Sequence, residues 1–166
     1  MHNKLTKKDI EEMQKEIDYR KTVVRPQVLE EVKETRAHGD LSENFEYHEA
    51  KRVKNRNDSR IRFLERMIKT ADIIEDNAAD DEAGIGKKVT VRFLDDGSEE
   101  TYTIVTTMRE DSLQGLISVE SPLGRAVSRR RAGEQAEVNT GASSFMVEIV
   151  RVESAGEDEQ GTLRNY

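Results

Sequence analysis

The stretch Arg36-Ala-His-Gly-Asp-Leu-Ser-Glu-Asn-Phe-Glu-Tyr-His-Glu-Ala50 decides the fold, because one helical pattern stops inside it and another begins. Gly39 is a natural stop, since glycine accepts the left-handed backbone that ends helices. The next pattern resumes within a few residues, so the two helices must fold back on each other. At the junction two carboxylates, Asp40 and Glu43, stand three apart beside Leu41, an apolar side chain with no partner in either helical pattern.

Upstream, Thr6-Lys-Lys-Asp9 fits a capping box at a helix start. From there Ile10, Met13, Ile17, Val24, Val28, Val32 and Thr35 recur at mixed threes and fours, one apolar face of a helix. Pro26 removes a helical hydrogen bond, so a bend is expected near Val24–Pro26. Downstream, the second arm is expected from about Leu41 to Thr70. Tyr47, Ala50, Lys54, Asn57, Ile61, Leu64 and Ile68 alternate in threes and fours, a heptad seam with two polar positions, Lys54 and Asn57. Folding back about residue 40 pairs Ile17 with Leu64, Val24 with Asn57, Val28 with Arg52 or Val53, and Val32 with Tyr47 or Ala50. The result is an antiparallel coiled-coil hairpin, a rod of roughly 45 Å at 1.5 Å per residue.

Composition agrees with a solvated rod joined to a compact domain. The chain has 166 residues, 34% hydrophobic against 37% charged, and no cysteine. That excludes disulfides and thiolate metal sites and points to a reducing compartment. No apolar stretch approaches membrane-spanning or signal-peptide length, so a soluble, cytoplasmic protein without membrane partners is expected. The net charge of −7 argues against a nucleic-acid binder that uses its whole surface. The charge is segmented, however. Residues 40–50 hold four acids and no Lys or Arg; residues 51–69 hold eight bases against Asp58 and Glu65; residues 70–100 hold ten acids against three bases.

Residues 70–86 shift to acids, small residues and glycine, a linker composition. After them the period changes to two. Val89–Phe93 and Thr101–Val105 alternate around the turn signal Asp95-Asp-Gly97. Leu116–Val119, Gln135–Val138 and Phe145–Val152 read as three further strands. Ser121-Pro122 opens a short helix, serine as cap and proline in the first turn, running through Ala126–Arg131 and stopping near Gly133. The predicted organisation is a coiled-coil hairpin over 1–75, an acidic linker over 76–86, a small antiparallel-sheet α+β domain over 87–152, and a disordered acidic tail over 153–166.

Two readings of the tip stand side by side. Asp40-x-x-Glu43 is an acceptable capping box for the second helix. It is also half a metal site, because two carboxylates hold Mg²⁺ only weakly and Mg²⁺ then needs phosphates or further acids to complete its shell. The basic arm, Lys51, Arg52, Lys54, Arg56, Arg60, Arg62, Arg66 and Lys69, is either a solvated face or a track for single-stranded nucleic-acid phosphates. His2, His38 and His48 are too scattered for a metal cluster, and Arg129–Arg131 reads as the cationic end of the short helix. No nucleophile elbow, phosphate loop or HExxH motif occurs, so nothing marks a self-contained enzyme.

Arg25-Pro26, the run Gly39-Asp-Leu-Ser-Glu-Asn-Phe-Glu-Tyr-His-Glu-Ala-Lys51, Ala71-Asp-Ile-Ile74 and Leu116-Ile-Ser-Val-Glu-Ser-Pro-Leu-Gly-Arg-Ala126 together resemble the bacterial transcript-cleavage factors of the GreA/GreB family, over nearly the whole chain to about Val152. Val127–Gly133 departs from that family's pattern, and the tail is extra. The resemblance implies a C-terminal domain of FKBP-like fold without prolyl-isomerase activity, docked at the rim of the RNA polymerase secondary channel, and a monomer whose coiled coil enters that channel. It implies that Asp40 and Glu43 help hold a Mg²⁺ shared with the polymerase while the polymerase hydrolyses the 3′ end of backtracked RNA. It carries RNA contacts to Arg36, Lys51, Arg52 and Arg56, and polymerase contacts to Leu41, Glu120, Ser121 and Pro122. A non-cleaving relative that occupies the same channel and inhibits is the alternative.

Overall fold

The computed structural model describes residues 4–38, 44–75 and 78–165, and separates into two compact units. The first, Lys7–Asp72, is helical. Helix α1 spans Lys7–Tyr19, a π-helical turn spans Arg20–Val24, α2 spans Arg25–Arg36 and α3 spans Phe45–Lys69. The bend expected at Pro26 takes the form of that π turn. Proline has no N–H, and its ring would crowd the carbonyl four residues earlier, so the ladder widens just before it: the Arg25 N–H reaches back five residues, to the Arg20 carbonyl.

Met13, Ile17 and Val28 on one arm, with Ala50, Ile61, Leu64 and Met67 on the other, form the buried seam. Of the predicted heptad positions, Ala50, Asn57, Ile61 and Leu64 are buried, while Tyr47, Lys54 and Ile68 are half-buried. Polar pairs tie the arms along their length: Glu16 with Arg60, Arg20 with Asn57, Lys21 with Glu65, Arg25 with Asp58, and Thr35 with Asn44. Where the seam turns polar, a network replaces apolar packing. The Arg60 guanidinium grips both Glu16 oxygens (2.8 and 3.1 Å). Arg20 donates to Glu16 (2.7 Å) and to the Asn57 side-chain oxygen (3.0 Å). Arg60 is only 6% exposed. It belongs to this network and not to an open basic track.

The second unit comprises Lys4–Thr6 and Ile73–Asn165. It opens with the short strands β1 (Lys4–Leu5) and β2 (Asp72–Ile73), and the Ile74 N–H donates to the Leu5 carbonyl. The main sheet contains β3 (Lys87–Phe93), β4 (Glu99–Val105), β5 (Leu116–Ser118), β6 (Gln135–Asn139) and β7 (Ser144–Ser154), in the order β5-β4-β3-β7-β6. Helix α4, Pro122–Val127, packs against it. The core is Ala83, Val89, Val91, Ile104, Val127, Ala136, Val138, Val147 and Ile149. All five predicted strands are present, and the turn at Asp95–Gly97 closes with Gly97 at φ +74°.

Three differences from expectation have physical causes. The sheet is mixed, because β4 and β5 pair in parallel, with two 3₁₀ turns (Thr107–Arg109 and Ser112–Gln114) carrying the chain across. A three-residue apolar run carries no signal of strand direction. Helix α4 stops at Val127 and not at Arg131, because the following backbone pairs with residues 82–83. The Ala83 N–H donates to the Arg130 carbonyl, the Arg129 N–H donates to the Ala83 carbonyl, and Arg129 adopts φ +67°. Ala83 is fully buried, so the later part of the expected linker belongs to this unit.

The tail, expected to be disordered, is folded onto the same unit. The Ala155 N–H donates to the Gly86 carbonyl (2.8 Å), and the Arg164 N–H to the Met108 carbonyl (2.7 Å). Lys88 pairs with Glu159, and Arg164 pairs with Glu110 at 2.7 Å. Glu159 thus finds a cation within the domain and Arg164 an acid, which composition alone does not reveal. No helix among the described residues is long and apolar enough to cross a membrane.

Candidate functional site

Asp40, Leu41 and Glu43 lie outside the described residues; their flanks do not. On the upstream side, α2 ends with Ala37 as its C-cap, and the His38 N–H donates to the Thr35 carbonyl (3.2 Å). On the downstream side, Asn44 is the N-cap of α3. Its backbone is extended (φ −87°, ψ 92°) and its side-chain oxygen accepts the Tyr47 N–H at 3.0 Å. This changes the balance between the two readings of the tip. The second helix takes its cap from Asn44, so the expected Asp40–Glu43 capping box is not what starts α3.

The Asn44 nitrogen donates to the Thr35 carbonyl at 2.6 Å, across from one arm to the other. Phe45, the first residue of α3, is 86% exposed. A shallow groove beside it is lined by Thr35, Ala50 and Val53 and edged by Glu31, Glu34 and Glu49. In sequence Phe45 stands out only as an aromatic near the tip, and Asn44 not as a cap. An Asn one residue before a helical pattern was the available signal for the cap.

The proposed RNA contacts fall at the tip-proximal end of the arms. Arg36 closes α2 and is exposed. Lys51 places its ammonium 5.5 Å from the centre of the Tyr47 ring, and Arg52 pairs with Glu49 at 2.9 Å. Arg56 is exposed one turn further along α3. Lys54, between Arg52 and Arg56, is held by Asp58 (3.2 Å), and further down Arg66 lies 6.0 Å from the centre of the Phe63 ring. The basic arm is therefore mixed: Lys54, Arg60 and Arg66 are engaged by neighbouring side chains, while Arg36, Arg56 and Lys69 are exposed and have no partner among the described residues.

His38 and His48 form no metal pair. His38 Nδ1 lies 3.7 Å from Glu46, and the His48 ring lies against Tyr47. Among the described residues, no group of three or more His, Cys, Asp or Glu could hold a metal ion.

In the second unit, Glu120, Ser121 and Pro122 lie at the start of α4. The Ser121 hydroxyl accepts the Gly124 N–H (3.1 Å) and donates to the Ser118 carbonyl (2.6 Å), so it is committed to the cap. Glu120 is held from both ends. Its carboxylate accepts from the Thr107 hydroxyl (2.9 Å), and its N–H donates to the Ser118 hydroxyl (3.0 Å). Pro122 is exposed. Arg129 and Arg131 face Glu82, and Arg131 also faces Asp81, which leaves this cluster serving the fold.

The family model for the N-terminal region of transcription elongation factors matches residues 3–73, and the GreA/GreB C-terminal model matches 78–154. Transcription elongation factor GreA of Geobacillus kaustophilus is 43% identical over 149 residues, covering 89% of this chain and 94% of the relative. GreA of Bacillus subtilis is 38% identical over 148 residues, with the same coverage of each. Among solved structures, the GreA factor homolog 1 protein of Thermus thermophilus aligns with a TM-score of 0.43 at 22% identity, over 93% of this chain and 100% of that one. At that distance the superposition adds nothing to the sequence match.

Proposed function

Because the chain belongs to the GreA/GreB family of transcription elongation factors, we propose that it rescues stalled bacterial RNA polymerase by stimulating hydrolysis of the 3′ end of backtracked RNA. The helical hairpin enters the polymerase secondary channel and brings Asp40 and Glu43 to the polymerase active site. One observation carries this reading: α3 is capped by Asn44, which leaves the two tip carboxylates free of that duty at the point where both arms end.

Each residue then has a task set by its chemistry. Asp40 and Glu43 supply ligands to a Mg²⁺ completed by the polymerase and orient the attacking water. When bound, that Mg²⁺ stabilises charge on the attacking and leaving oxygens of the phosphodiester. Leu41 gives the tip an apolar contact with the polymerase. Arg36, Lys51, Arg52 and Arg56 hold phosphates of the extruded RNA without reading its sequence. Glu120 and Pro122 face the channel rim, and Ser121 fixes them by capping α4. The factor is a monomer and no nuclease on its own, because its donor set is incomplete without the polymerase.

The test uses backtracked elongation complexes with Mg²⁺ present. The intact chain is expected to release short 3′ RNA fragments. Asp40→Ala/Glu43→Ala is expected to bind the polymerase as well and release none. If the intact chain and the variant both only slow elongation, the chain is instead an inhibitor of the same channel. Nuclease activity without polymerase would contradict the shared-site chemistry.

A further inference from the structure

We propose that Asn44 is a positioning residue for RNA cleavage: a single side-chain amide clamps the two arms together at the point from which the tip carboxylates are presented. The inference rests on the cleavage reading above, and adds to it a residue outside the metal-binding pair.

The geometry is that of a two-ended bond. Asn44 Oδ1 accepts the Tyr47 N–H (3.0 Å) in the first turn of α3, while Nδ2 donates to the Thr35 carbonyl (2.6 Å) in the last turn of α2. The Thr35 carbonyl accepts the His38 N–H (3.2 Å) along its own chain, and its second lone pair takes the amide. The Thr35 hydroxyl turns back along its own helix, to the Glu31 carbonyl (2.7 Å), and does not compete. The amide therefore joins the end of one arm to the start of the other. A second polar link at this end, His38 with Glu46, is 3.7 Å long with both side chains exposed, and it bears little load. Further down, the arms are next tied at Arg25 and Asp58.

Capping alone does not call for asparagine, because aspartate caps a helix equally well. What aspartate lacks is a donor. Between the two, the amide alone can accept from one helix while donating to the other, so the second bond is what distinguishes asparagine from aspartate here. Residues 39–43 spring from the two ends that this bond holds. Freedom between those ends passes directly to Asp40 and Glu43, and displacement of a catalytic group by about 1 Å can lower a rate about 10²-fold.

Asn44→Asp separates the two roles, since it keeps the cap and removes the donor. In the backtracked-complex assay it is expected to lower the maximal cleavage rate at least about 10-fold. The factor concentration giving half-maximal rate should stay within about twofold, because docking does not use this bond. Since the chain has no cysteine, spin labels at Lys33→Cys and Asn55→Cys report the arm separation in the free protein. Their distance distribution is expected to broaden when Asn44→Asp is added. The proposal is overturned if Asn44→Asp cleaves within about twofold of the parent. It is equally overturned if the loss of rate comes with a large rise in the half-saturating factor concentration, or if the distance distribution is unchanged. Asp40→Ala/Glu43→Ala runs alongside: if that variant still cleaves, the cleavage reading fails, while the distance measurement still decides the clamp.

Discussion

Glycine stands at position 124 because the start of α4 folds tightly onto the end of β5. The Ser121 hydroxyl and N–H both return to the Ser118 carbonyl, and a Cβ on Gly124 would run into that same oxygen. A backbone oxygen fixed by two hydrogen bonds cannot swing aside as a flexible side chain would. Gly124→Ala is therefore expected to destabilise the second unit by about 1–3 kcal/mol, measured as a lowered urea midpoint. Unchanged stability would mean that the turn before α4 is looser than described. The same residues carry the proposed docking segment, so the variant should also weaken polymerase binding. At this scale the sequence was partly legible: Ser121 as cap and Pro122 in the first turn are as expected. The Thr107–Ser118–Glu120 bonds were not, because they join residues up to thirteen positions apart through a parallel crossover that short strands do not announce.

Within the helical unit, the elements meet through a polar network where a heptad seam would place apolar residues. Lys54 and Asn57 signalled the gap in the seam, but their partners, Asp58 for Lys54 and Arg20 for Asn57, could not be read from spacing, since long charged side chains reach beyond the position they face. Asn57 accordingly bonds Arg20, about a turn before the expected Val24. Burial pushes the Glu16 carboxyl up, but hydrogen bonds and charge from Arg60 and Arg20 outweigh it and hold the group below its ordinary value. A carboxyl with a depressed native pKa adds stability that is fully present above its unfolded value, about 4.3. That stability is lost as pH falls through the native value. Between pH 7 and pH 3 the urea midpoint of the helical unit should thus drop less steeply for Glu16→Gln than for the parent. Parallel pH profiles would show that the network does not carry charge as described. Pro26 was the readable part of this element, and the form of its accommodation was not, because a π turn and a simple kink leave the same mark in sequence.

On the scale of the whole molecule, the change from a helical to an alternating period divided the chain correctly into a helical and a sheet unit, since each period fixes which side chains share a face. What failed was reading order from composition. The acidic segments on either side of the sheet domain look like linker and tail, yet Glu82 meets Arg131 and Glu159 meets Lys88. Cations far away in sequence compensate them. The family model ends at residue 154, so the tail contacts lie beyond the part it matches. The central claim, that the tip acids Asp40 and Glu43 lend ligands to a shared ion, rests on their place in the sequence and on the cap that Asn44 gives to α3. The most direct measurement of that claim is the Mg²⁺ dependence of cleavage on backtracked complexes, comparing the parent with Glu43→Gln. If the tip lends a ligand to a shared ion, the variant needs several-fold more Mg²⁺ for half-maximal rate and recovers part of its activity as Mg²⁺ is raised. A variant equally impaired at every Mg²⁺ concentration, with polymerase binding intact, would contradict it.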